Sequence, residues 1–155
     1  MKKIKRNRVS SWLVFLGLAV LATEQKPLTM FAQDGTQLVM VVNKANDATI
    51  TKALAKRLLL GQQTTWSDGK KVLVALRPAQ NPDRVELLKK ICSMSESEYT
   101  RYEMQVAFTG QTPAKVLEEG SSAAMKLFVK SNPGAVGFLH KSEVDADLKI
   151  ALMID

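Results

Sequence analysis

Apolar residues along the chain fall into short runs separated by three- and four-residue repeats. Gln37 to Val42 (QLVMVV) is a near-continuous apolar run ending at Asn43, the pattern of a strand buried on both faces of a sheet. Turn formers follow from Asn43 to Asp47. Thr49 or Thr51 then caps a helix whose stripe is Ile50, Ala53, Leu54, Arg57 and Leu58, closed by Gly61 in the left-handed region. A polar turn holds Trp66 and Ser67-Asp68-Gly69, and Val72 to Leu76 forms a second strand that Arg77-Pro78 breaks. A tryptophan in such a turn most often folds onto the core.

Asn81-Pro82-Asp83 starts the next helix, with Asn81 as N-cap, Pro82 at the first helical position and an acid facing the macrodipole. Val85, Leu88 and either Ile91 or Cys92 form its inner face. Ser95 and Glu98 match a capping box for a helix carrying Tyr99, Tyr102 and Val106, with Phe108 as a further candidate, that stops at Thr109-Gly110. Between Thr112-Pro113 and Gly120, Val116-Leu117 reads as a short extended piece, a single helical turn being the alternative. Ser121 or Ser122 caps a helix with Ala124, Met125, Phe128 and Val129 on one stripe. Asn132-Pro133-Gly134 turns the chain into the strand Ala135–Leu139, and Leu148 to Ile154 is the last strand. Strands separated by helices require crossovers. The fold class is therefore α/β, a three-layer α-β-α sandwich on a mixed, mainly parallel sheet.

Residues 1–32 stand apart. Lys2, Lys3, Lys5, Arg6 and Arg8 precede an apolar run from Trp12 to Ala22, too short for a bilayer core of ~30 Å at about 1.5 Å per residue. The segment reads as a secretory signal peptide, cleaved after Ala22 or Ala32, with an uncleaved anchor as the alternative. Residues 33–155 are then one periplasmic domain. The whole chain carries +7, but 1–32 hold six of its 22 Lys/Arg and one of its 15 Asp/Glu, so the remainder is near +2 and nucleic acid is not an expected partner. Cys92, the single cysteine, rules out an intramolecular disulfide and reads as a small buried hydrophobe.

Signals for catalysis are weak. His140 has no cysteine or second histidine beside it and reads as a surface residue in the loop after a strand. The acids Glu96, Glu98, Glu103, Glu118 and Glu119 read as solvated helix faces. No nucleophile elbow, zinc-protease, dinucleotide or P-loop motif occurs, so neither an enzyme nor a resident metal or cofactor is expected. Arg77, Gln80, Asn81 and Arg84 are the candidate ligand-binding residues. They cluster just beyond a strand end at a helix start, where unpaired N–H groups and the helix dipole favour anions. The alternative is that Arg77 and Arg84 pair with Asp83, Glu86 or solvent.

Three segments, Val41-Val42-Asn43-Lys44-Ala45-Asn46, Leu60-Gly61-Gln62-Gln63-Thr64-Thr65-Trp66-Ser67-Asp68-Gly69 and Ser131-Asn132-Pro133-Gly134-Ala135-Val136-Gly137-Phe138, occur in this order. Together they resemble phosphate ABC-transporter substrate-binding proteins, of the type 2 periplasmic binding protein fold. The resemblance covers about residues 37–140. It implies one lobe of a fold that normally has two, and Arg77 matches the family's arginine. The family's serine/glycine/threonine cluster is replaced here by Ala79-Gln80-Asn81-Pro82-Asp83. The chain thus resembles the small single-lobe relatives. What the resemblance implies is binding of phosphate or another small anion and an ABC permease as partner. The other reading is a ligand-free module that contacts an envelope or sensor protein, or a second copy of itself, through an apolar patch where the absent lobe would sit.

Overall fold

The computed structural model describes residues 35–109, 115–117 and 120–155. The expected signal peptide, Gly110, Thr112-Pro113 and Glu118-Glu119 lie outside them. The strands are β1 (Leu38–Asn43), β2 (Leu73–Leu76), β3 (Lys115–Val116), β4 (Ala135–His140) and β5 (Leu148–Met153); the α-helices are α1 (Lys52–Leu59), α2 (Pro82–Leu87), α3 (Glu96–Ala107) and α4 (Ser122–Ser131). A π-helical turn, Leu88–Cys92, continues α2, and a 3-10 turn, Lys141–Glu143, follows β4.

The five strands pair in the order β3-β2-β4-β1-β5. β2 is parallel to β3 and β4, while β1 is antiparallel to β4 and β5. Four strands therefore run one way and β1 alone runs the other. This is the mixed sheet expected from strands joined through helices.

Alternation along the strands sorts the core into two layers. Leu38, Met40 and Val42, with Val74, Leu76, Val136 and Phe138, face α1, the π turn and α3. Val39, Val41, Ala75, Ala135 and Leu139 face α4 through Met125 and Val129. Both faces of β1 are fully buried, which explains its unbroken apolar run. Gly137 allows the second layer to close: a Cβ there would lie 2.7 Å from Met125 Sδ and 2.8 Å from Val129 Cγ2.

The caps fall where side-chain chemistry puts them. Thr51 accepts from Leu54 N–H, Asn81 from Asp83 N–H, and Ser121 from Ala124 N–H. Ser95 and Glu98 form a reciprocal capping box. Gly61 follows α1 at φ 65°. Two expected faces are corrected. In α1 the buried residues are Ala55, Leu58 and Leu59, while Ala53 and Arg57 are exposed. In α2, Val85 is 40% exposed and Arg84 turns inward with Leu87. Apolarity alone could not place an arginine on the inner face. Phe108, at the end of α3, is 91% exposed and takes no part in the core.

Trp66 joins the two segments that frame the chain. Its indole N–H donates to the Gly134 carbonyl at 3.0 Å, and Leu73 N–H donates to the same oxygen at 3.1 Å. The Gly134 Cα passes so close to the strand entry that a Cβ would sit 2.1 Å from Lys71 O. Trp66→Phe removes one of the two donors to a buried carbonyl and is expected to cost about 1–2 kcal/mol. Gly134→Ala forces the backbones apart and is expected to reach or exceed the upper end of the ~1–3 kcal/mol seen for overpacking. Urea denaturation reads both; a Gly134→Ala variant as stable as the parent would contradict this close approach.

Candidate functional site

The chain leaves β2 at Arg77 and crosses to α2 through Pro78-Ala79-Gln80-Asn81. Asn81 N–H donates to Pro78 O at 3.2 Å, closing a turn that holds Gln80 at φ 66°, a left-handed conformation uncommon outside glycine. Gln80 is exposed. Asn81 is committed to capping α2, with its Oδ1 3.0 Å from Asp83 N.

Arg77 is only 7% exposed, and its guanidinium is surrounded by protein. Nη1 donates to Gly120 O, and Nη2 donates to Ser122 Oγ at 3.0 Å. Nε lies 3.1 Å from Asp83 Oδ2 as an ion pair whose N–H is not aligned for a hydrogen bond. Nη2 also lies 3.9 Å from Glu143 Oε2. Gly120 packs against the loop so tightly that a Cβ would come within 2.6 Å of Pro78 Cδ.

Glu143 is held in place beside Arg77. Ser122 Oγ–H donates to its Oε1 at 2.6 Å, and His140 N–H to its Oε2 at 3.0 Å. Burial acts to raise this carboxyl, but the Ser122 and His140 bonds with the nearby Arg77 charge outweigh it and hold it below its ordinary value. His140, read from sequence as a surface residue, instead bridges two segments. Its Nδ1 lies 2.8 Å from Thr36 O and its Nε2 3.1 Å from Asp83 Oδ1.

Arg84, at 4% exposed, is the more deeply placed arginine. Glu96 meets it through two contacts, Nη2–Oε1 at 2.8 Å and Nε–Oε2 at 3.2 Å, and Glu103 Oε2 lies 3.5 Å from Nη2. Nη1 donates to Arg77 O at 3.1 Å, and the Tyr99 ring lies 5.6 Å from the guanidinium carbon. Burial is the largest influence on Glu103 and raises its pKa despite Arg84. Glu96 and Glu103 are thus partners of a buried cation rather than a solvated face. Glu86, considered as a partner for the arginines, pairs with Lys90 at 2.9 Å.

The structure therefore brings Arg77, Asn81 and Arg84 to one loop and leaves Gln80 at its exposed corner. Each arginine already faces two carboxylates: Asp83 and Glu143 for Arg77, Glu96 and Glu103 for Arg84. Sequence reading missed Ser122, Glu143 and His140, because their approach to Arg77 and Asp83 depends on how β2 pairs with β3 and β4. Among the described residues, no group of three or more His, Cys, Asp or Glu is placed to hold a metal ion.

Arg84→Met is expected to destabilise by about 3 kcal/mol, within the range for breaking a buried pair and leaving carboxylates uncompensated. Adding Glu96→Gln and Glu103→Gln should recover much of that loss in urea denaturation; no recovery would contradict the pairing. The depressed carboxyl of Glu143 contributes stability that is present above its unfolded pKa and is lost as pH falls through its folded one. Glu143→Gln should accordingly flatten the acid limb of stability against pH below the ordinary glutamate range. Superimposable acid limbs for the two proteins would count against it.

No family model matches the sequence, and no curated protein does. Solved structures do. An ABC-type phosphate transport receptor from Vibrio cholerae aligns with a TM-score of 0.58 at 27% identity, covering 74% of this chain and 44% of the receptor. A protein from Clostridium perfringens, described as a phosphate ABC transporter substrate-binding protein with bound phosphate, aligns with a TM-score of 0.58 at 18% identity, over 74% of this chain and 43% of its own. The chain spans less than half the length of either. Its described residues form an α/β lobe similar to those of phosphate ABC-transporter substrate-binding proteins, the type 2 periplasmic binding protein fold.

Proposed function

We propose that this chain, an exported relative of the phosphate receptors, works in the periplasm as a protein-interaction module, without binding phosphate. The observation that carries this reading is the internal neutralisation of the candidate loop. An oxyanion approaching Arg77 meets Asp83 and Glu143, and one approaching Arg84 meets Glu96 and Glu103. To bind there it would have to displace carboxylates already held in ion pairs, at close to no net gain in charge pairing. α2 has only six residues, and Asn81 already serves the Asp83 N–H at its start. An exposed apolar surface supports contact with another protein: Ala79 of the loop and Met104 of α3 line one groove, with Met104 62% exposed. The basic leader and apolar run at 1–32 support export, and no enzymatic role is proposed.

A second reading, capture of phosphate by Arg77, Gln80, Asn81 and Arg84 for delivery to an ABC permease, draws on the likeness to proteins named as phosphate receptors. It requires Asp83 and Glu143 to move away from Arg77. Thermal unfolding with phosphate, against chloride at matched ionic strength, separates the two. A ligand present at 100 times its Kd adds about 2.7 kcal/mol, a rise in Tm of several degrees for a domain of this size. The interaction reading predicts no phosphate-specific shift at millimolar concentration. A saturable, phosphate-specific rise would overturn it and restore the second reading.

A further inference from the structure

His140 stands between the segment that enters β1 and the start of α2. Its Nδ1 lies 2.8 Å from Thr36 O, and its Nε2 lies 3.1 Å from Asp83 Oδ1. Both partners are acceptors, for neither a backbone carbonyl nor an ionised carboxylate has a proton to give. A neutral imidazole carries one N–H and one lone pair, so it serves one of these oxygens and turns its lone pair on the other. The imidazolium carries two N–H groups and serves both. The placement of the two oxygens therefore fits the charged ring and leaves the neutral ring one bond short.

The charged groups about the ring are Asp83 and Arg77 on one side, and Glu143 and Lys141 of the 3-10 turn on the other. Asp83 meets the ring directly, while Arg77 lies behind it, with Nε 3.1 Å from the second Asp83 oxygen. Glu143 accepts the His140 backbone N–H at 3.0 Å. Two carboxylates and two cations thus surround the imidazole, with a carboxylate oxygen in direct contact.

The ring also decides how the chain is fastened where it enters the lobe. Lys141 N–H donates to Gln37 O at 2.9 Å, and Ser142 donates to Gly35 O through its N–H at 3.3 Å and its hydroxyl at 2.7 Å. These bonds hold Gly35 and Gln37 to the turn after β4. The imidazole adds a bond to Thr36 between them and carries the attachment on through Asp83 to α2 and Arg77.

We propose that His140 is a proton-operated clasp. Protonated, it fastens the entry segment Gly35–Gln37 to α2. Deprotonated, it releases one side, so the point at which residues 1–34 join the lobe loosens as pH rises through the range where histidines titrate. The clasp does not depend on whether Arg77 takes a ligand, and so does not rest on the interaction reading above.

His140 is the single histidine of the chain, so its ring nitrogens are identified directly in 1H–15N spectra. The full chain is titrated to find the pH at which the ring changes charge. Hydrogen exchange of the Lys141 and Ser142 amides is then compared on either side of that midpoint, each rate divided by the random-coil rate at the same pH. Below the midpoint both ring nitrogens are expected to carry protons. Above it, protection of the two amides is expected to fall about tenfold, the low end for a hydrogen bond to a charged group, with Val41 at the centre of the sheet changing less. His140→Gln cannot take a second proton and should show no such step. Asp83→Asn should lose the step too, because the amide can turn its NH2 to the neutral ring and restore both bonds; it serves in place of His140→Gln if that variant does not fold. A ring that keeps one charge state wherever the protein is folded would overturn the clasp. So would protection that is unchanged across the midpoint, or a step that persists in either variant.

Discussion

A guanidinium taken out of water has to be met by charge, and Arg84 imposes that requirement on the end of this lobe where β2, α2 and α3 meet. It is held at once by Glu96 and Glu103 of α3, by the Arg77 carbonyl at the end of β2 and by the Tyr99 ring. Desolvating any one of these groups alone would be unfavourable; together they stabilise the junction of β2, α2 and α3. Arg77 extends the same logic to the far side of the sheet, reaching Gly120 and Ser122 at the start of α4 and Glu143 after β4. The two arginines link the helical layers across the strand ends.

At the opposite end of the sheet, the Gly134 carbonyl does comparable work with neutral groups. Trp66 and Leu73 both donate to it, so the turn after α1, the entry to β2 and the entry to β4 are fixed by one oxygen. This accounts for two of the three segments that carried the sequence resemblance. Glycine at 134 is required by the passage of the Lys71 carbonyl, and tryptophan at 66 by its single N–H on a large apolar body. Both mark packing and topology rather than chemistry toward a ligand.

Much of the fold was legible because local chemistry determined it. Asn81-Pro82, Ser95 with Glu98, Gly61 and the double-sided apolar run of β1 each point to one structure. The antiparallel setting of β1 was not legible in detail, since a strand buried on both faces shows no alternation to report its neighbours' direction. The site was only half readable. Arg77 and Arg84 were identified, but their state depends on partners from distant segments. One signal was available: Glu96, Tyr99 and Glu103 lie at helical spacing on one face, and Tyr99 already identified that face as the inner one. Two acids beside a buried tyrosine call for a buried cation. Glu143 and Ser122 had no comparable signal, because only the pairing of β2 with its two neighbours, β4 and β3, brings them to Arg77.

These constraints separate what the fold shares with phosphate receptors from what its loop can do. The lobe architecture is kept, while the guanidinium groups nearest the strand ends are engaged within the chain. The most direct measurement is the arginine Nε–H signals of Arg77 and Arg84 in 1H–15N spectra, assigned with single Arg→Lys variants, as phosphate is added. If the carboxylates hold both guanidiniums, the signals stay protected from solvent exchange and do not move with phosphate. Signals that broaden by exchange in the free protein, then shift and saturate with phosphate, would contradict the account.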